Sequence, residues 1–276
     1  GTADLDRCGL DTAGRVRIYN PLSEDMDVLR TDLVPGLLGS LRHNISQDNG
    51  RIRIFEVAHT FVQDQTSDTR TRENNRLGIL LHGGRFPGRY PFVSGFLGYE
   101  DIKGLVEHLL HTLGVGAASF ARGHGHPYLE PEVCVLVGET MAGRVGRIRE
   151  NLADNYLARA EVWYADLDLD LLMVMQKKIT FASLPKYPVI RRDMTLIAPS
   201  GLAIGSVIDT VRQLREPLLE DVFLVDIYDP EGGRERNLTF RFVFRHPERT
   251  LKDKEVEKIT AHIGQHLVKG LPVRFS

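Results

Sequence analysis

Asn237-Leu-Thr-Phe-Arg-Phe-Val-Phe-Arg245 alternates with period two: Leu238, Phe240, Phe242 and Phe244 fall on one side, Thr239, Arg241, Val243 and Arg245 on the other. Successive side chains of a strand point to opposite faces, so this stretch reads as a strand with one core face and one mostly polar face. Working upstream, the pattern predicts a strand over 221–228, with Phe223, Val225 and Ile227 inward and Leu224, Asp226 and Tyr228 outward. A helix over 205–215 and a strand over 189–197 precede it. Downstream, Val256, Ile259, Ile263 and Leu267 share one face of a helix over 253–268, and a last strand is expected over 271–275. The order is βαββαβ, the ferredoxin-like arrangement, in which both helices cover one sheet face and leave the other free for a partner.

The residues expected on that free face carry the chemistry of RNA contact. An outward Tyr228 offers a ring on which a base can stack, and Asp226 accepts hydrogen bonds from a guanine edge. Arg191, Arg241 and Arg245 favour phosphates. Each is equally an ordinary solvated strand residue, so the pattern alone does not decide. From residue 185 to the end there are 15 Lys plus Arg against 13 Asp plus Glu, leaving 20 against 24 for the rest of the chain. That bias permits RNA binding without arguing for it, and a net charge of -2 means that RNA contact must come from local placement of charge.

The preceding residues read differently. Leu33, Leu37, Leu41 and Ile45 recur at spacing four with Val34 and Leu38 beside them, one apolar helical stripe, and Pro35 fits its first turn. Residues 51–62 and 76–82 are expected as strands. Asp101 reads as an N-cap, followed by the apolar face Ile102, Leu105, Val106, Leu109, Leu110 and Leu113 and a stop at Gly114. A hairpin is expected from strands 132–138 and 144–148, turning around Met141-Ala-Gly143, then a short helix over 152–159 and a strand over 161–167. This is mixed α+β with an antiparallel sheet. The prolines of Gln176-Lys-Lys-Ile-Thr-Phe-Ala-Ser-Leu-Pro-Lys-Tyr-Pro188 mark a boundary, placing a first domain at 1–182 and a second at 183–276.

Chemistry-bearing motifs are scarce. The chain contains no phosphate loop, no His-Glu-x-x-His and no Gly-x-Ser-x-Gly. His124-Gly-His126 lacks a third ligand close by, and His82-Gly-Gly-Arg-Phe-Pro-Gly88 reads as a loop. Cys8 and Cys134 are expected as reduced structural thiols, with no metal site. With no apolar run of membrane-spanning length and no signal-peptide pattern at the start, a cytoplasmic location is expected.

Five stretches carry a family resemblance. Asn20-Pro-Leu-Ser-Glu-Asp-Met-Asp-Val-Leu-Arg-Thr-Asp-Leu-Val-Pro-Gly-Leu-Leu38 and Ile52-Arg-Ile-Phe-Glu-Val-Ala-His-Thr-Phe61 resemble the class II synthetase-like domain of the phenylalanyl-tRNA synthetase β subunit. Residues 181–193, Val225-Asp-Ile-Tyr228 and Phe244-Arg-His-Pro-Glu-Arg-Thr-Leu-Lys-Asp253 resemble that subunit's C-terminal ferredoxin-fold anticodon-binding domain. The family subunit is much longer, with tRNA-binding-like and editing regions upstream. The resemblance implies an assembly of two α and two β subunits in which α, with ATP and magnesium, activates phenylalanine and charges tRNA. It implies that this β-type domain binds no cofactor itself and serves as an inactive scaffold. Arg53-Ile-Phe-Glu56 only loosely echoes the arginine-bearing motif 2 of class II enzymes, and Gly143-Arg-Val-Gly-Arg147 lies outside a motif 3 context. The helix over 33–45 and the strand after it are expected near the α contact. By the resemblance, the tRNA contacts fall on Arg191, Asp226, Tyr228 and Arg241. A protein-interaction module or a ferredoxin-like small-molecule sensor is the alternative.

Overall fold

The structure is a computed structural model that describes residues 1–23, 26–91, 95–177, 184–230 and 233–276. The chain divides into two compact units, Gly1–Thr180 and Phe181–Ser276. The expected boundary at 182/183 falls on residues 178–183, outside the described residues.

The first unit begins with α1 (Thr2–Arg7) and α2 (Val34–Ser46), followed by β1 (Ile52–Gln63) and β2 (Thr71–His82). α3 (Tyr99–Thr112), β3 (Ala118–Arg122), β4 (Leu129–Val137) and β5 (Thr140–Ile148) come next. α4 (Glu150–Asp154), β6 (Val162–Asp168) and α5 (Leu169–Met175) complete it. The six strands form one antiparallel sheet in the order β1-β2-β6-β5-β4-β3. Each face carries its own core. On one, the α2 stripe of Leu33, Val34, Leu37, Leu38 and Leu41 is buried against Ile52, Leu80 and Tyr164. On the other, Ile102, Val106 and Leu110 of α3 meet Leu77, Ile79, Trp163 and Leu167. A central strand covered on both sides has no polar face to spare, which is why β6 reads as a nearly continuous apolar run. Gly78 admits α2: a Cβ there would lie 2.8 Å from Leu37 Cδ1 and 3.0 Å from the Tyr164 hydroxyl.

Several local expectations shift. Gly98, not Asp101, is the N-cap of α3; Asp101 sits in the first turn and its carboxylate accepts the Gly98 N–H at 2.7 Å, capping from inside the helix. The β4–β5 turn lies at Gly138-Glu139, where Gly138 takes φ +62°, and Met141, Ala142 and Gly143 are inside the strand. The helix expected over 152–159 is the shorter α4. α1, β3 and α5 were not expected, and β2 starts five residues earlier than the pattern implied.

The second unit comprises β7 (Ile190–Pro199), α6 (Ile204–Gln213), β8 (Leu219–Tyr228), β9 (Glu235–Phe244), α7 (Asp253–Gly270) and β10 (Arg274–Phe275). Its four-stranded antiparallel sheet has the order β10-β7-β9-β8. This is the ferredoxin-like topology expected from the alternation of β9. Leu238, Phe240, Phe242 and Phe244 are fully buried, with Val207 and Val211 of α6 and Val256, Ile263 and Leu267 of α7 against them. Both helices thus occupy the phenylalanine side.

Strand β8 departs from the expected alternation. Leu224 pairs with Phe240, yet the next paired residue, Asp226, faces Thr239, so Val225 is the extra residue of a β-bulge. Parity reverses across it. Val222 and Leu224 are the core residues and Phe223 turns to the outer face opposite Arg241, whereas beyond the bulge Asp226 and Tyr228 are outward, as expected. Ile227 shares the inner side with its partner Leu238 but is only partly covered.

Candidate nucleic-acid interface

The outer face of the second unit is laid out in rows across β7, β9 and β8. Arg191, Val243 and Asp221 form one row, and Asp193, Arg241 and Phe223 the next. Thr195, Thr239 and Asp226 follow, then Ile197, Asn237 and Tyr228. Residues directly opposite on antiparallel strands lie on the same face, so register alone assembles this surface from three distant segments.

All four residues singled out in the sequence lie on this face, in different states. Tyr228 is 63% exposed. Neither it nor the exposed Asp226 has a side-chain hydrogen-bond partner among the described residues. Arg191 is exposed, with no ion pair among the described residues. Arg241 is committed: Nε and Nη2 donate to the two Asp193 carboxylate oxygens, each at 2.7 Å. That bidentate pair holds the Asp193 carboxyl below the usual carboxylate range and presents a flat, neutralised plane on the sheet. Beside it, the Thr195 and Thr239 hydroxyls hydrogen-bond at 2.9 Å. Arg245 is not free for phosphates either, since it pairs with Glu220 and donates to the Tyr187 carbonyl at 2.9 Å.

Sequence reading missed Phe223, which is 41% exposed on the same face. A signal existed: Val222-Phe-Leu-Val225 is four apolar residues in a row, which a strand of strict alternation with one solvated face cannot accommodate.

The first unit brings together a different set. Asp32 is half-buried; its carboxylate accepts the Val34 N–H at 2.8 Å and the Tyr128 hydroxyl at 2.7 Å. Burial first, and then the charge of Asp166, push its pKa up to about 6. Arg76 joins Asp166 and Asp168, with Nε to Asp166 at 3.0 Å and Nη1 to Asp168 at 3.1 Å. Asp32 thus ties the start of α2 to Tyr128, just before β4, while Arg76 ties β2 to β6. The arginines that echo class II motifs are likewise engaged within the protein. Arg53 donates to the carbonyls of Gly84 and Arg85 at 3.1 and 2.7 Å, Arg144 to Glu132 at 2.8 Å and Arg147 to Glu161 at 2.6 Å. Each of these contacts would have to break before the side chain could reach a triphosphate.

Among the described residues no cluster of three or more His, Cys, Asp or Glu is placed to hold a metal. His126 packs edge-on against Tyr128, ring centroids 4.4 Å apart. Cys8 and Cys134 are free thiols, and burial pushes Cys8 up to about 12. Among the described residues no helix is long and apolar enough to cross a membrane.

Comparison with known proteins assigns both units. Residues 185–275 match the family model described as a ferredoxin-fold anticodon binding domain, so the second unit is of the anticodon-binding domain class. Residues 2–169 match the phenylalanyl tRNA synthetase beta chain CLM domain. The chain therefore belongs to the phenylalanyl-tRNA synthetase β chain family. It is 50% identical over 276 residues to the phenylalanine–tRNA ligase beta subunit of Nitratidesulfovibrio vulgaris, covering 99% of this chain and 35% of that protein. Similar are the beta subunits of Oleidesulfovibrio alaskensis, 45% identical over 254 residues (90% and 32%), and Clostridium tetani, 30% over 270 residues (95% and 32%). The chain spans about a third of the length of these curated relatives.

Proposed function

We propose that the chain is the C-terminal part of a phenylalanine–tRNA ligase β subunit, acting in the cytoplasm within an assembly of two α and two β subunits. Residues 183–276 bind the anticodon region of tRNA specific for phenylalanine, and residues 1–182 form a non-catalytic synthetase-like scaffold. The observation that carries the reading is the solvent-open sheet face of the second unit, on which Tyr228, Asp226 and Arg191 stand without side-chain partners among the described residues. A ring for stacking, an acceptor for a base edge and a cation for a phosphate are the three contacts that a single-stranded loop offers to meet. Arg241 contributes through its pair with Asp193, as a fixed plane more than as a free charge.

Catalysis then belongs to the α subunit, with its ATP and magnesium, because Arg53, Arg144 and Arg147 are consumed by internal contacts. The α2 stripe is spent on its own sheet, so the α contact is assigned to edge strand β1 instead. There Phe55 and Val57 are 72% and 55% exposed beside an apolar recess of about 560 Å³ lined by Ile79, Leu105 and Leu109. The direct test is binding of the tRNA by the full-length β chain assembled with its α partner. Tyr228→Ala is expected to weaken it about tenfold or more, while retained affinity contradicts the reading.

A further inference from the structure

We infer that Phe223 is a second stacking platform for an unpaired RNA base, distinct from Tyr228. The inference rests on the anticodon-face reading above and extends it to a residue that strict strand alternation assigns to the core. The bulge at Val225 is what turns Phe223 outward. An aromatic ring held on a solvent-facing sheet has lost burial that Val222 and Leu224 on either side retain, and 41% of its surface remains open. The part of the ring left open contributes no burial to the fold; a base, whose flat face is itself poorly hydrated, recovers that area.

The neighbours support a base as the occupant over a protein side chain. Across the strand from Phe223 lies Arg241, fixed by two 2.7 Å hydrogen bonds to Asp193. Guanidinium planes and aromatic rings are the two protein surfaces on which splayed bases stack, and here they are adjacent. The surface is also continuous with the face that carries Tyr228. The partners of Phe223 and Tyr228 on β9 are Arg241 and Asn237, four residues apart. At about 3.4 Å per residue the backbone positions that carry the two rings are about 14 Å apart along the sheet. Stacked bases are separated by about 3.4 Å, so the two rings receive different bases and together hold the loop splayed.

The test uses the full-length β chain assembled with its α partner and tRNA specific for phenylalanine. Affinity is measured for Phe223→Ala, Phe223→Leu and Phe223→Tyr beside Tyr228→Ala, with single abasic nucleotides placed in turn through the anticodon loop. The expected result is that Phe223→Ala and Phe223→Leu each weaken binding about tenfold while Phe223→Tyr stays within about twofold. One abasic position should then become indifferent to Phe223→Ala, and a different one to Tyr228→Ala. Unchanged affinity in Phe223→Ala with binding lost in Tyr228→Ala overturns the second platform and leaves the anticodon face standing. Full affinity in Phe223→Leu alongside loss in Phe223→Ala assigns Phe223 to packing and also overturns it. No effect from either Phe223→Ala or Tyr228→Ala removes the anticodon face itself, and this inference with it.

Discussion

At the scale of single residues, the two units use ionisable groups in opposite ways. In the second, Arg191, Asp226 and Tyr228 are exposed with no side-chain partner among the described residues; in the first, the carboxyl of Asp32 is desolvated and pushed toward neutrality. The folded-state pKa of Asp32, raised to about 6, lies above its unfolded value of about 3.9. The native state therefore holds the proton more tightly, and this stabilising contribution is complete below about pH 4 and lost as pH rises through about 6. The slope is at most about 1.4 kcal/mol per pH unit. Asp32→Asn, which keeps an acceptor but cannot ionise, is expected to abolish that decline. Chemical denaturation from pH 4 to 7 checks it, read through Trp163, the sole tryptophan, which is buried in the first unit. A difference between wild type and variant that does not change with pH contradicts the assignment. Of the four sheet residues named from sequence, Asp226 and Tyr228 were legible because parity beyond the bulge happens to match simple alternation. Arg191 was legible as an outward strand position, whereas the commitment of Arg241 to Asp193 depends on a pairing between segments 48 residues apart that no local pattern encodes.

At the scale of elements, what was readable was whatever buries a single periodic face. α2, β9 and α7 each present one apolar stripe and were found within a residue or two of their ends. α1, β3 and α5 are short, seven residues or fewer, too short to establish a period, and were not. The cap of α3 was misplaced because the N-cap is a glycine and the capping carboxylate sits three residues on. Packing between elements yields its own predictions. Gly78→Ala sets a methyl 2.8 Å from Leu37 Cδ1, 3.0 Å from the Tyr164 hydroxyl and 3.2 Å from Leu33 Cβ, so the Leu37 side chain must move and its neighbours must give by a few tenths of an ångström. A loss of about 1–3 kcal/mol is expected in denaturant unfolding followed by Trp163 fluorescence. Phe55→Asp changes an exposed position of β1. It is expected to leave the stability of the chain within about 0.5 kcal/mol while preventing co-purification with the α subunit. Intact co-purification would place the α contact elsewhere.

At the scale of the whole molecule, two separately cored units match two family domains in the family's order, while the chain accounts for only about a third of its relatives' length. The proposed division of labour rests on which surfaces each unit leaves open: an apolar strand edge on the first, a polar and aromatic sheet face on the second. By itself the polypeptide is expected to charge no tRNA in an aminoacylation assay, with activity appearing only when the α subunit is supplied. The central claim, that the open sheet face meets the anticodon, is tested most directly by one comparison. The affinity of the assembled enzyme for tRNA specific for phenylalanine is measured against the same tRNA with its anticodon substituted, in wild type and in Tyr228→Ala. The account predicts that wild type prefers the natural anticodon and that Tyr228→Ala erases the preference; a preference that survives the substitution intact would contradict it.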